Sequence, residues 1–127
     1  MKKMTVLFID DDKFLCEFVR IVLRSRGIKV DCAHDGEEGI KRFESFEYCA
    51  VVVDQMMPGI NGFQVIETIS SKGGQVPVIM LSGSGKKEDK DRAIEAGAFC
   101  YLEKGYDSEF IRKLQLILEK SHIQSVF

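Results

Sequence analysis

Val6-Leu7-Phe8-Ile9 runs into Asp10-Asp11-Asp12, and farther along the chain Val51-Val52-Val53 runs into Asp54. Segments apolar at every position suit strands covered on both faces, as in a parallel sheet packed between helices. Carboxylates where such strands end fall at the carboxyl edge of the sheet, where open α/β folds keep their sites. Adjacent carboxylates repel, and some take up protons unless positive charge stands among them. A hard divalent cation held by oxygen ligands, Mg²⁺ above all, meets that need.

Working outward, strands and helices alternate. Residues 5–9 read as a first strand. The apolar stripe Phe14, Leu15, Phe18, Val19, Val22 and Leu23 reads as a helix stopping at Gly27. Residues 28–33 alternate like a more exposed strand, and 36–44 form a short helix with Ile40 and Phe43 inward. Residues 49–53 are a third strand. Met57-Pro58-Gly59-Ile60-Asn61-Gly62 is turn-rich, and a helix over 63–71 ends at Gly73-Gly74. Residues 77–81 form a fourth strand, followed by the polar loop Ser82-Gly83-Ser84-Gly85 and a charged helix over 86–96 closed by Gly97. A fifth strand over 99–102 precedes a helix over about 107–120 with Phe110, Ile111, Leu114, Ile117 and Leu118 on one face. Five βα units imply a doubly wound parallel sheet with helices on both faces.

The 127 residues suit one domain. No apolar stretch approaches the roughly 20 residues of a membrane span. The basic start Met1-Lys2-Lys3 precedes too short an apolar run for a signal peptide, so a cytoplasmic location is expected. Net charge is −2; setting aside the four strand-end aspartates and Lys104 leaves sixteen acidic and seventeen basic residues. That balance gives no field for nucleic acid or an anionic membrane, so partners are chosen by local patches. Cys16, Cys32, Cys49 and Cys100 are widely spaced, with no C-x-x-C pair, which argues against zinc and fits small core residues in a reducing compartment.

In such a fold the loops after strands one, three, four and five meet at one edge. They begin with Asp10-Asp11-Asp12, Asp54, Ser82 and Glu103-Lys104. Singly, Asp12 reads as a helix cap, Ser82 as a turn residue and Lys104 as a surface lysine. Together they bring carboxylates, a hydroxyl and an ammonium to one place.

These motifs resemble the receiver domain of two-component response regulators, the family of the chemotaxis and sporulation-relay regulators. Ile9-Asp10-Asp11 resembles the acidic pair closing strand one, and Val53-Asp54 with Met57-Pro58-Gly59 and Gly62 the phosphoacceptor strand and loop. Leu81-Ser82-Gly83 is similar to the switch hydroxyl with its small neighbour, Tyr101 to the switch aromatic, and Lys104 to the family's lysine. The resemblance implies a flavodoxin-like (βα)5 fold with strand order 2-1-3-4-5. It implies a single receiver domain over 1–127, with no effector domain and a short tail over 121–127. Asp54 would accept a phosphoryl group from a sensor histidine kinase or a histidine phosphotransfer protein. Mg²⁺, or Mn²⁺ in its place, would be held by Asp10, Asp11, Asp54 and the backbone carbonyl of Met56. Lys104 would pair with Asp54 and then with the phosphoryl, while Ser82 and Tyr101 carry the switch to a face made by the fourth helix, fifth strand and fifth helix. A downstream protein, not DNA or membrane, would read that face, the chain acting as a monomer or a weak activation-dependent dimer. The chemistry would be self-phosphorylation and self-dephosphorylation, not that of a classical enzyme.

One departure stands out. The family usually follows its lysine with proline, often through a cis bond, and here Gly105 follows Lys104. A cis bond before glycine costs about 2.5–4 kcal/mol, so the path of this loop is open. Asp10-x-Asp12 with a serine and a lysine also outlines haloacid-dehalogenase-type phosphatases, although the chain is short for that fold and leaves Asp54 without purpose. A receiver-shaped module that never takes phosphate is the third reading.

Overall fold

A computed structural model describes residues 4–72 and 75–126, with side chains to 122. Readings placed on Met1-Lys2-Lys3, Gly73-Gly74 and Phe127 lie outside the described residues. The order is β1 (Met4–Ile9), α1 (Lys13–Ser25), β2 (Ile28–Ala33), α2 (Gly36–Ser45), β3 (Ala50–Asp54), α3 (Gly62–Ser71), β4 (Val78–Ser82), α4 (Lys87–Ala96), β5 (Cys100–Glu103) and α5 (Ser108–Val126). All four strand pairings are parallel, in the order β2-β1-β3-β4-β5. This is the flavodoxin-like topology that the resemblance implies, built on the parallel sheet expected from the alternating pattern.

Strand side chains alternate between faces, and the core divides accordingly. Val6 and Phe8 of β1 pack with Val52, Leu81 and the inner faces of α1 and α5. Leu7 and Ile9 pack with Val51, Val53, Met80 and the inner faces of α3 and α4. The sheet is thus covered on both sides, and polar side chains from it reach solvent chiefly at strand ends.

Three expectations change. Asp54 and Ser82 are the last residues of β3 and β4 rather than the first of their loops, because pairing extends to Asp54 with Leu81 and Ser82 with Glu103. Phe14 leaves the buried stripe and is 74% exposed. The inner face of α1 centres on Leu15, Cys16, Val19 and Leu23, so Phe14 and Ile21 fall on its margin. The segment read as a tail from Ser121 instead continues α5 to Val126. Ser121 is buried there, its hydroxyl donating to the Leu118 carbonyl oxygen at 2.8 Å.

Candidate functional site

Each side chain at the carboxyl edge is placed by the end of a strand. Asp10 follows β1, anchored by its N–H to the Ala33 carbonyl of β2 at 3.0 Å. Asp54 closes β3, and the next N–H, of Gln55, bonds Leu81 of β4 at 2.9 Å. Lys104 follows β5, its N–H donating to the Ser82 carbonyl at 2.7 Å. Gly62 closes the loop after Asp54 through an N–H bond to the Gln55 carbonyl at 3.0 Å. A Cβ at position 62 would stand 2.5 Å from the Asp54 carbonyl oxygen, so this approach requires glycine.

Asp10 is fully buried and Asp54 6% exposed, while Asp11 lies in solvent. One oxygen from each of the three carboxylates falls within a 4.8 Å group. The Lys104 ammonium approaches Asp10 most closely, 2.9 Å from Oδ2 and 3.2 Å from Oδ1, and stands 3.5 Å from Asp54 Oδ2. The lysine expected to pair with Asp54 is therefore shared, with Asp10 holding it more tightly. Asp10 Oδ1 also accepts the Asp12 N–H at 2.9 Å. Among the described residues Asp10 Oδ2 is buried without any well-aligned hydrogen-bond donor, despite the nearby ammonium.

Burial, and then the neighbouring Asp10 charge, push the Asp54 carboxyl up to about 6, Lys104 only partly opposing them. Burial likewise raises Asp10 against the Asp12 N–H and Lys104. Burial works against the Lys104 charge, but Asp10 and then Asp54 outweigh it and hold the ammonium above its usual range. Three clustered carboxylates, two of them sharing one ammonium, with a buried oxygen lacking a donor among the described residues, suit a hard cation bound by oxygen. Asp10, Asp11 and Asp54 therefore fit a divalent metal.

Asp12 is the N-cap of α1, its Oδ1 accepting the Leu15 N–H at 3.0 Å, as the cap reading expects. Its other oxygen accepts a hydrogen bond from the Tyr106 hydroxyl, a partner the sequence did not suggest. That bond, then the Leu15 N–H, holds the Asp12 carboxyl below the usual range. Ser82 is buried, and its Oγ accepts the N–H groups of Ser84 and Gly85 at 3.1 Å each. Among the described residues no hydrogen bond joins it to Asp54. Tyr101 is half-buried, its hydroxyl donating to Gln55 Oε1 at 2.9 Å. Gln55, which follows Asp54 and is itself buried, was also not anticipated. The Met56 side chain beside it is 73% exposed.

Among the described residues no peptide bond is cis, so the chain leaves Lys104 through a trans bond to Gly105. A Cβ at position 105 would stand 3.0 Å from Cβ of Phe110 in α5, which lies close over the loop.

The family model for the response regulator receiver domain matches residues 6–115. The chain belongs to the response regulator receiver family. The cell cycle response regulator CtrA of Brucella abortus is 32% identical over 126 residues, covering 97% of this chain and 54% of that protein. The chain thus spans about half the length of the curated relatives it matches. The receiver domain of the Francisella response regulator 1452 superposes with a TM-score of 0.88 at 27% identity, covering 96% of this chain and 98% of that one. The Vibrio cholerae chemotaxis protein CheY4 superposes with a TM-score of 0.84 at 24% identity, covering 92% and 99%, and shares the fold. Receivers are phosphoacceptors of two-component systems that coordinate Mg²⁺ through an acidic pocket and interact with histidine kinases or phosphotransfer proteins; they are generally regarded as non-enzymatic. The phosphatase alternative finds no support: the receiver model covers residues 6–115, and Asp12 caps α1. No helix among the described residues is long and apolar enough to cross a membrane.

Proposed function

We propose that Asp54 of this receiver accepts a phosphoryl group from a phosphohistidine on a sensor histidine kinase or histidine phosphotransfer protein. The observation that carries this reading is the gathering of the Asp10, Asp11 and Asp54 carboxylates within 4.8 Å around one shared ammonium. An Asp54 oxygen attacks phosphorus, the P–N bond to the partner's imidazole breaks, and the imidazole leaves with the electron pair. When bound, Mg²⁺, or Mn²⁺ in its place, would supply the positive charge that offsets the crowded carboxylates and the charge spread over the transferring group. Asp10, Asp11, Asp54 and the Met56 backbone carbonyl would hold it. Lys104, already 3.5 Å from Asp54, turns to the phosphoryl oxygens.

The new charge draws the Ser82 hydroxyl, and Tyr101 follows, shifting a pre-existing equilibrium. The α4-β5-α5 face reports it to a downstream protein in the cytoplasm, the domain acting as a monomer or a weak activation-dependent dimer without contacting DNA. Arg92 of α4 lies 4.0 Å from the ring centroid of Phe63 in α3, linking α4 to the helix that follows the Asp54 loop. A binding module that never takes phosphate would have no use for the full acidic group and its ammonium.

Acetyl phosphate with Mg²⁺ tests the reading, with phosphoprotein followed by intact mass. The wild type gains one phosphoryl group and Asp54→Asn gains none. Phosphorylation of the Asp54→Asn protein at the wild-type rate would overturn the assignment of Asp54.

A further inference from the structure

Away from the acidic edge, at the open side of β2, a cavity of about 500 Å³ lies between α1 and α2. Its lining includes Arg20, Arg24, Lys29, Arg42 and Cys32, with Asp31 the one acid. In a chain of net charge −2 this is a local concentration of positive charge. Asp31 accepts a hydrogen bond from Tyr48 at 2.9 Å. Arg20 and Arg42 are paired along their own helices with Glu17 and Glu38. Arg24 and Lys29 are exposed and form no ion pair among the described residues. The Cys32 sulfur is half-buried in this wall, 3.5 Å from the Cys16 carbonyl oxygen.

We propose that this cavity is a covalent modification site, in which Cys32 exchanges with an anionic low-molecular-weight disulfide held by Arg20, Arg24, Lys29 and Arg42. The Cys32 thiolate attacks one sulfur of the disulfide. The reagent's S–S bond breaks, a new S–S bond forms to Cys32, and the departing thiolate takes a proton from solvent. Cys32 is oxidised and half of the reagent is reduced to thiol, so no further oxidant is needed. Carboxylates on the retained half pair with the guanidinium groups, whose planar forks match them. A cavity of this size lies within the range of small-molecule sites, roughly 300–1,000 Å³.

The other thiols are poorer candidates. Cys16 is fully buried, and burial raises both Cys49 and Cys100, whereas Cys32 is half-buried in the wall that Arg20, Arg24, Lys29 and Arg42 line. Thiols in electropositive, partly exposed settings are the reactive ones.

The test incubates the reduced protein with glutathione disulfide or with cationic cystamine and maps the mixed disulfide by peptide mass spectrometry. We expect modification at Cys32 ahead of Cys49 and Cys100, and about tenfold faster with the anionic reagent after correction for intrinsic reactivity, within the range by which local charge raises encounter rates. Onward exchange giving a Cys16–Cys32 disulfide also reports attack by Cys32 and supports the site. Replacing both Arg24→Gln and Lys29→Gln, at exposed positions without ion pairs among the described residues, should cut the charge preference severalfold, and Cys32→Ser should abolish the early product. Equal rates with both reagents, or first modification at Cys49 or Cys100, would overturn the proposal.

Discussion

At the ends of β1 and β3, Asp10 and Asp54 share one ammonium at 2.9 and 3.5 Å, and both carboxyls are raised by burial. At the ends of β4 and toward β5, Ser82 and Tyr101 are neutral hydroxyls bonded to their own surroundings, Ser82 to two loop N–H groups and Tyr101 to Gln55. Both halves rest on the same parallel register, yet one is under electrostatic stress and the other is satisfied. The acidic half therefore favours capture of a cation. The hydroxyl half has little reason to move until an anion arrives that competes with its local bonds. In the proposed cycle, phosphorylation of Asp54 joins the two.

Removing the shared cation breaks the contrast most severely. Lys104→Met keeps the side-chain length but leaves Asp10 and Asp54 facing each other uncompensated. We expect a loss of about 2–4 kcal/mol in urea unfolding at pH 8 without metal, as for a broken buried pair. The loss should shrink below about pH 6, where Asp54 protonates, and shrink on adding Mg²⁺. An undiminished loss at pH 5 would mean that the lysine acts through packing.

The next largest effect comes from pH in the wild type. Burial, and then the Asp10 charge, push the Asp54 carboxyl up to about 6, above the usual carboxylate range, so the folded state binds its proton more tightly than the unfolded state. Its contribution to stability is therefore most favourable at low pH and is lost as pH rises from about 4 to 6. Mg²⁺ competes with that proton. Its affinity should weaken up to about tenfold per pH unit below 6, because ligand carboxylates must be deprotonated. Calorimetric titration at pH 5, 6 and 7 checks this, and a flat affinity would place the ion elsewhere.

Why the acidic half was legible in the sequence and the hydroxyl half less so follows from the range of the interactions. An apolar run ending on aspartate is a local pattern, and parallel βα units leave few ways to arrange the strands. Asp12 capping α1 is equally local. The Tyr101–Gln55 and Tyr106–Asp12 bonds join residues 46 and 94 positions apart, and no spacing rule links them. Lys104 was placed at the site by motif, but its closer approach to Asp10 depends on how the β5–α5 loop settles under Phe110. The extension of α5 was hidden because Ser121 reads as a helix-ending polar residue, whereas its hydroxyl is satisfied by the Leu118 carbonyl within the helix.

Two smaller substitutions probe the hydroxyl half alone. Ser82→Ala leaves the Ser84 and Gly85 N–H groups without their acceptor and should cost about 1 kcal/mol. Mg²⁺ affinity should be unchanged, since no hydrogen bond joins Ser82 to the carboxylates, but the chemical-shift changes induced by beryllofluoride with Mg²⁺ should be strongly reduced over α4 and β5. Ser82 Oγ already accepts two N–H bonds, and among the described residues its rotatable proton has only Ser84 Oγ within reach, at 3.5 Å. That proton is what a phosphoryl oxygen would take up. Tyr101→Phe is gentler: it removes one neutral hydrogen bond from Gln55, costing about 0.5–1 kcal/mol, and keeps the ring. If the bond to Gln55 holds Tyr101 in its resting position, this variant should need less beryllofluoride than the wild type to reach half of the shift change at β5. An increase in that requirement would instead make the hydroxyl a contributor to the active state. The contrast between a stressed acidic half and a satisfied hydroxyl half would then fail on the β5 side.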